Sequence, residues 1–227
     1  MRRDRSALLE HQGLHALLLA LLLLAARALA QRVGFPAGEL LGLSSATWFV
    51  LCLAVPIVHQ VYVAVCWRAE LHLQLLTRVL GAPRGFDIYK RGFAVLFLSR
   101  FVTLIALAAA THDTLPGPRA LHGLAAALVA APGVYTIYSV RHYFGFERAV
   151  GVDHFDESYA ARPFVREGVF RYLSNAMYTT GFLMFWAVAL AFGSSLGLIV
   201  AGYAHAYIWV HYLCTERPDM RRIYGGG

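Results

Sequence analysis

Long apolar runs dominate this chain and leave few folds open to it. A helix needs about 20 mostly apolar residues to cross the hydrocarbon core of a bilayer. Residues 7–30, 44–66, 93–110 and 121–143 each supply such a run. Residues 177–213 supply a fifth, which as one helix would reach about 55 Å at about 1.5 Å per residue, too long for one crossing. Gly193-Ser194-Ser195 sits near its middle and reads as a turn. Two helices, about 178–192 and 196–213, then form a C-terminal hairpin. Gly193 and Gly197 also make a GxxxG pattern, which has a second reading as a helix-packing face. The expected fold is all-α, a polytopic transmembrane helical bundle of about six spans. Composition agrees: 59% of residues are hydrophobic and 15% charged, beyond the roughly 45–50% apolar content of soluble domains.

The charges alternate in a way that orients the bundle. Arg2, Arg3 and Arg5 precede the first span, and Arg68, Arg78, Arg84, Lys90 and Arg91 lie between the second and third. Arg148, Arg162, Arg166 and Arg171 follow the fourth span, and Arg217, Arg221 and Arg222 follow the last. The opposite connections carry only Arg27 and Arg32, then Arg119. Short cytoplasmic loops carry the excess of Lys and Arg, so both termini and the loop 141–167 are expected in the cytoplasm. The net charge of +7 is accounted for by this topology and by anionic lipid, with no need for nucleic acid. Arg2-Arg3, the Leu-rich run and Ala28-Leu29-Ala30 resemble a cleavable signal peptide. Asp4, Glu10 and Arg27 argue instead for a retained span. Arginine outnumbers lysine nineteen to one, which points to a high-GC bacterial genome and hence an inner membrane.

Several chemistries are excluded by pattern. There is no GxGxxG nucleotide fingerprint and no HExxH zinc motif. The three cysteines, Cys52, Cys66 and Cys214, lie in or at the ends of spans without CxxC spacing, so neither a disulfide framework nor a metal site is expected. The ten histidines are dispersed; only His11 and His15 share a helical face, with no carboxylate support. A transporter would show two similar halves. Here ten of the twelve tyrosines fall after residue 130. Residues 1–140 therefore read as a transmembrane scaffold of about four spans. Residues 141–227 read as the loop, hairpin and tail that form a site.

That second part carries a resemblance. Gly168-Val169-Phe170-Arg171-Tyr172-Leu173-Ser174-Asn175-Ala176-Met177-Tyr178 is similar to the G-x-F-x-Y-x-x-N-P-M-Y-x-G segment of phosphatidylethanolamine N-methyltransferases. Glu216-Arg217-Pro218, then Arg222-Ile223-Tyr224, resembles the acidic motif and aromatic tail that follow their helical hairpin. The isoprenylcysteine carboxyl methyltransferases share this layout. The match covers roughly residues 165–225. Ala176 stands where the family has proline, which predicts a looser turn, and Arg217 replaces a second glutamate.

The resemblance implies methyl transfer from S-adenosylmethionine to an amphiphilic membrane substrate. It makes Asn175, Tyr178, Tyr212, Glu216 and Tyr224 candidates for holding the cofactor. A carboxylate suits the cofactor ammonium, and aromatic faces attract a sulfonium. His205, Trp209, Tyr212 and Glu216 follow 4-3-4 spacing and so share one helix face. The plainer readings are interfacial aromatics for Tyr178, Trp209 and Tyr212, a packing residue for His205 and a helix cap for Asn175.

Trp209 and Arg100 are candidates for contact with the acceptor. Arg100, deep in the third span, either snorkels to the interface or holds a lipid phosphate. In the long loop, Asp153 and His154 sit between apolar residues and are expected to fold over the site. With Glu216 they are the catalytic candidates, His154 as the group that takes the proton an ammonium must lose. The leading acceptor is the amine of phosphatidylethanolamine or its methylated forms. The alternatives are an isoprenylcysteine carboxylate, a small thiol, or a non-catalytic module that binds lipid or a partner. No metal and no nucleic-acid partner are expected, and the sequence leaves the oligomeric state open.

Overall fold

The computed structural model describes residues 5–225, so Arg2, Arg3 and Asp4 lie outside the described residues. A short 3-10 turn, Arg5–Leu9, leads into α1, Gln12–Val33. Two short strands, β1 (Glu39–Leu40) and β2 (Leu43–Ser44), pair antiparallel. Then come α2 (Ser45–Leu73), α3 (Leu75–Leu80) and α4 (Ala82–Ala110). After these follow α5 (Arg119–Ser139), α6 (Phe146–Ala149), α7 (Leu183–Ala191), α8 (Ser195–His211) and α9 (Arg217–Ile223).

Among the described residues, five helical stretches are long and apolar enough to cross a membrane, and Met177–Ala191 is a shorter apolar one. The all-α bundle of the sequence reading is therefore present, with its fifth expected span shortened. Burial ranks the helices. Of the most apolar stretch in Ser195–Ile223, 56% is buried, against 17% for Ala7–Val33 and for Arg119–Phe144. α8 is thus the axis, packed by α1, α2, α4 and α7. The core around it includes Leu104, Leu107, Phe185, Leu196 and Tyr207. The outer helices turn apolar residues outward: Leu14, Leu17, Leu21 and Leu24 on α1, Leu121, Leu124 and Leu128 on α5. Those i, i+3, i+4 and i+7 stripes suit hydrocarbon contact, where a water-facing helix would carry charge.

The turn expected between the last two spans is at Gly193, which takes φ +59, a left-handed conformation that glycine adopts without strain. Thr114 and Leu115 donate backbone N–H groups to the Gly193 carbonyl, and Ser194 caps α8 by accepting from the Gly197 N–H. The hairpin is thereby tied to the end of α4. Helices otherwise run past their apolar limits. α2 continues to Leu73 and α4 begins at Ala82, because polar residues end a hydropathy run without breaking backbone hydrogen bonding. Arg100 does not snorkel. It is 2% exposed, with its guanidinium 5.1 and 5.2 Å from the ring centroids of Phe182 and Phe185.

Candidate active site

At the end of the bundle opposite Gly193, the chain departs from α-helical geometry three times. Val140–Phe144, Met177–Gly181 and Tyr212–Glu216 are π-turns. Such turns widen the helix by one residue and re-aim the side chains they carry, often at functional sites. All three contribute to the wall of one cavity of about 430 Å³, through Phe144, Met177, Tyr178, Tyr212 and Glu216. That volume falls within the roughly 300–1,000 Å³ of ligand sites.

The segment before the hairpin is seated by its own apolar residues. Val169, Phe170 and Ala176 are buried against Val140, Phe144 and Met177. Gly168 has φ +57, and a Cβ there would meet the Ser139 hydroxyl at 2.6 Å; that hydroxyl accepts instead from the Val169 N–H. The Asn175 carbonyl opens the next helix by accepting from the Tyr178 and Thr179 N–H groups. Ala176, in the place of the family's proline, is fully buried, and its carbonyl accepts from the Thr180 hydroxyl at 2.9 Å. Tyr178 then donates a hydrogen bond to Glu216 from across the cavity wall.

Of the residues singled out from sequence, Asn175, Tyr178, Tyr212, Glu216, Tyr224 and Asp153 line this cavity. His154, Trp209 and Arg100 do not. Trp209 packs edge-on against Tyr178 and Tyr212, with ring centroids 6.1 and 5.5 Å away, and so supports the wall from behind. His205 accepts from Trp186 Nε1, so the shared helix face divides: its deep half packs and its outer half lines the cavity. Trp67 and Arg148 also line the cavity, without having been candidates from sequence. Arg148 reads in sequence only as a loop charge and Trp67 as the end of an apolar run, and no spacing pattern ties either to the rest.

His154 lies one layer below. Its ring stacks on Trp67 with centroids 4.1 Å apart. It sits between two carboxylates, with Nδ1 3.4 Å from Asp153 and Nε2 3.8 Å from Asp219. Burial alone would lower the imidazole pKa, but the two carboxylates outweigh it and raise His154 to about 9. Asp153 is the complement. Burial would raise it, yet the His154 imidazolium and the Tyr224 hydroxyl, which donates to it at 2.9 Å, hold it below the usual carboxylate range. That direction runs against the proton-accepting role expected for His154, whose side chain is also closed off from the cavity.

The cavity thus combines a carboxylate, Glu216, with the amide residue Asn175, the aromatic residues Trp67, Phe144, Tyr178 and Tyr212, and cations at Arg148, Arg217 and Arg221. Arg148 is fixed by bonds to the Pro163 carbonyl and the Tyr224 hydroxyl. A ligand bearing both an ammonium and a carboxylate, plus a flat polar ring, would find complementary groups here. Residues 121–227 match the phospholipid methyltransferase family. The match covers a little under half of the chain, all of it C-terminal. The family's segment runs from α5 through the loop, hairpin and tail, and so holds most of the cavity lining; Trp67 comes from outside it. A phosphatidylethanolamine N-methyltransferase of Malassezia globosa is 29% identical over 138 residues, which is 61% of this chain and 14% of that protein. The chain therefore spans a small part of that relative. No solved structure matches the chain.

Proposed function

We propose that this protein is an integral-membrane methyltransferase that uses S-adenosylmethionine to methylate a lipid amine, that of phosphatidylethanolamine or its partly methylated forms. The observation that carries the reading is the convergence of Asn175, Tyr178 and Glu216 on one cavity in the segment that matches the phospholipid methyltransferases. When bound, S-adenosylmethionine supplies a methyl group already activated on a sulfonium, so the protein's task is to align, bind and exclude water. The donor set fits it. Glu216 takes the amino-acid ammonium, with Tyr178 holding the carboxylate in orientation. Tyr212, Asn175 and Tyr224 complete the pocket, and the aromatic walls favour the sulfonium's charge.

Asp153, kept ionised by His154 and Tyr224, attracts the acceptor ammonium to the same cavity. His154 acts as the buried cation that fixes Asp153. Trp209 supports Tyr178 and Tyr212, and Arg100 braces the hairpin through Phe182 and Phe185; neither is assigned to the acceptor. In this reading residues 1–140 are scaffold, apart from what Trp67 adds, and 141–227 form the site. The basic residues clustered at the cavity end support a cytoplasmic site. The arginine-rich composition supports a bacterial inner membrane, although the relative named above is fungal.

Titration of purified protein with S-adenosylhomocysteine, followed by incubation of membranes with labelled donor and identification of the labelled lipid, tests the reading. Saturable binding and a methylated ethanolamine lipid are expected. No saturable binding would overturn it.

A further inference from the structure

Arg68 reads in sequence as one more loop charge, yet it lies near the end of α2 and is 2% exposed. Its guanidinium is spent on groups from both ends of the chain. Nε lies 3.3 and 3.4 Å from the two carboxylate oxygens of Asp219. Nη1 donates to the carbonyls of Ala7 at 2.8 Å and Glu10 at 2.9 Å, and Nη2 donates to the Cys214 carbonyl at 3.1 Å. Gln12 Nε2 donates to that same carbonyl at 3.4 Å and to the Thr215 hydroxyl at 3.3 Å.

Sequence explains why the Cys214 carbonyl is available. In α-helical register it would accept from the N–H four residues on, and residue 218 is proline, which has none. A carbonyl left unpaired in a buried position is costly, and Cys214 is fully buried. Cys214 and Asp219 flank Glu216 on either side, in the π-turn Tyr212–Glu216 and the start of α9. Two of the contacts of Arg68, one to the Cys214 carbonyl and one to the Asp219 carboxylate, therefore hold the chain before and after the residue that faces the cavity.

We propose that Arg68 is the positioning residue for Glu216: it replaces the hydrogen bond that Pro218 removes, anchors Asp219, and so holds the π-turn that presents the Glu216 carboxylate to Tyr178 and to the cavity. The proposal rests on the donor-binding reading above for its functional consequence. A planar fork is needed, because one head must meet a carboxylate and three carbonyls in different directions; a lysine ammonium cannot span them.

The test uses full-length protein in detergent, with two readouts. One is S-adenosylhomocysteine affinity; the other is amide hydrogen exchange across residues 212–219. Arg68→Gln is expected to weaken binding about tenfold or more and to speed exchange in that segment, the scale of a lost charge-assisted contact. Pro218→Ala alone should bind within about twofold of wild type, and in Arg68→Gln/Pro218→Ala the restored N–H should recover much of both losses, since coupled sites are non-additive. In a Glu216→Gln background, Arg68→Gln should cost less than about a further twofold. Should Arg68→Gln not fold, Arg68→Lys, which keeps the buried charge, is expected to fold and to show the same faster exchange.

Wild-type binding and exchange in both Arg68 variants would overturn the proposal. So would a loss that adds in full to that of Glu216→Gln, the mark of a merely structural role. Absence of binding in the wild type would sink the donor reading alone, and the exchange measurement would still decide the role of Arg68.

Discussion

Tyr178 and Glu216 stand 38 positions apart in the chain and share a hydrogen bond in the cavity wall, the tyrosine hydroxyl donating to the carboxylate. The bond closes the helical hairpin at its open end and fixes the direction in which the carboxylate is presented. If Glu216 binds a cofactor ammonium, the contact is worth about 1.5–3 kcal/mol. Glu216→Gln is then expected to weaken S-adenosylhomocysteine binding about 10- to 150-fold at about 1.4 kcal/mol per tenfold. Tyr178→Phe removes only the orienting bond and should cost less, about fivefold, from about 1 kcal/mol. Calorimetric titration checks both, and a Glu216→Gln protein that binds like wild type would remove the carboxylate from the site.

His154 makes stability depend on pH. Its folded pKa of about 9 lies above the ordinary 6.5, so the stability it contributes is complete below about pH 6.5 and is lost as pH rises through about 9. At about 1.4 kcal/mol per unit, the loss is at most about 3.5 kcal/mol. Thermal melting of wild type should fall between pH 6.5 and 9 more steeply than that of His154→Gln. Parallel curves for the two proteins would show that His154 does not carry this charge.

Gly151 has φ +87, and a Cβ there would lie 2.4 Å from the Trp67 ring. Trp67 also stacks on His154 with ring centroids 4.1 Å apart, a contact that opposes its displacement. Gly151→Ala combines left-handed backbone strain with overpacking, each costing about 1–3 kcal/mol. A fall in melting temperature and weaker donor binding are expected together, because the displaced ring lines the cavity. Unchanged melting would mean that the loop Val152–His154 docks differently.

Reporter fusions test the orientation. Those placed between Arg68 and Arg91, in the loop 141–167 and after Gly227 should report the cytoplasm, and one near Asp113 the opposite side, as the Lys and Arg bias requires. A loop 141–167 reporting outside would place the cavity on the other face of the membrane.

By itself the sequence determined the elements and their rough order. A span of hydrocarbon must be filled by apolar residues with every backbone group bonded within the helix, so runs such as 93–110 declare themselves without knowledge of their neighbours. A left-handed turn selects glycine, so Gly193 marked the hairpin. The short motif around Asn175 and the acid at Glu216 pointed to one end of that hairpin, because a helix that crosses and returns brings its two ends together. Only the tertiary structure decided what each charge does. Arg68 and Arg148 are the same residue type, both in polar stretches beyond apolar runs; one became a buried clamp and the other part of a cavity wall. The pKa of His154 is raised because Asp219, from the far tail, lands beside it along with Asp153. Arg100 stayed in the core because two phenylalanine faces from the hairpin arrived to cover it. Burial and charge pairing are set by which distant groups meet across the bundle, and hydropathy, a local property of the chain, does not encode those meetings.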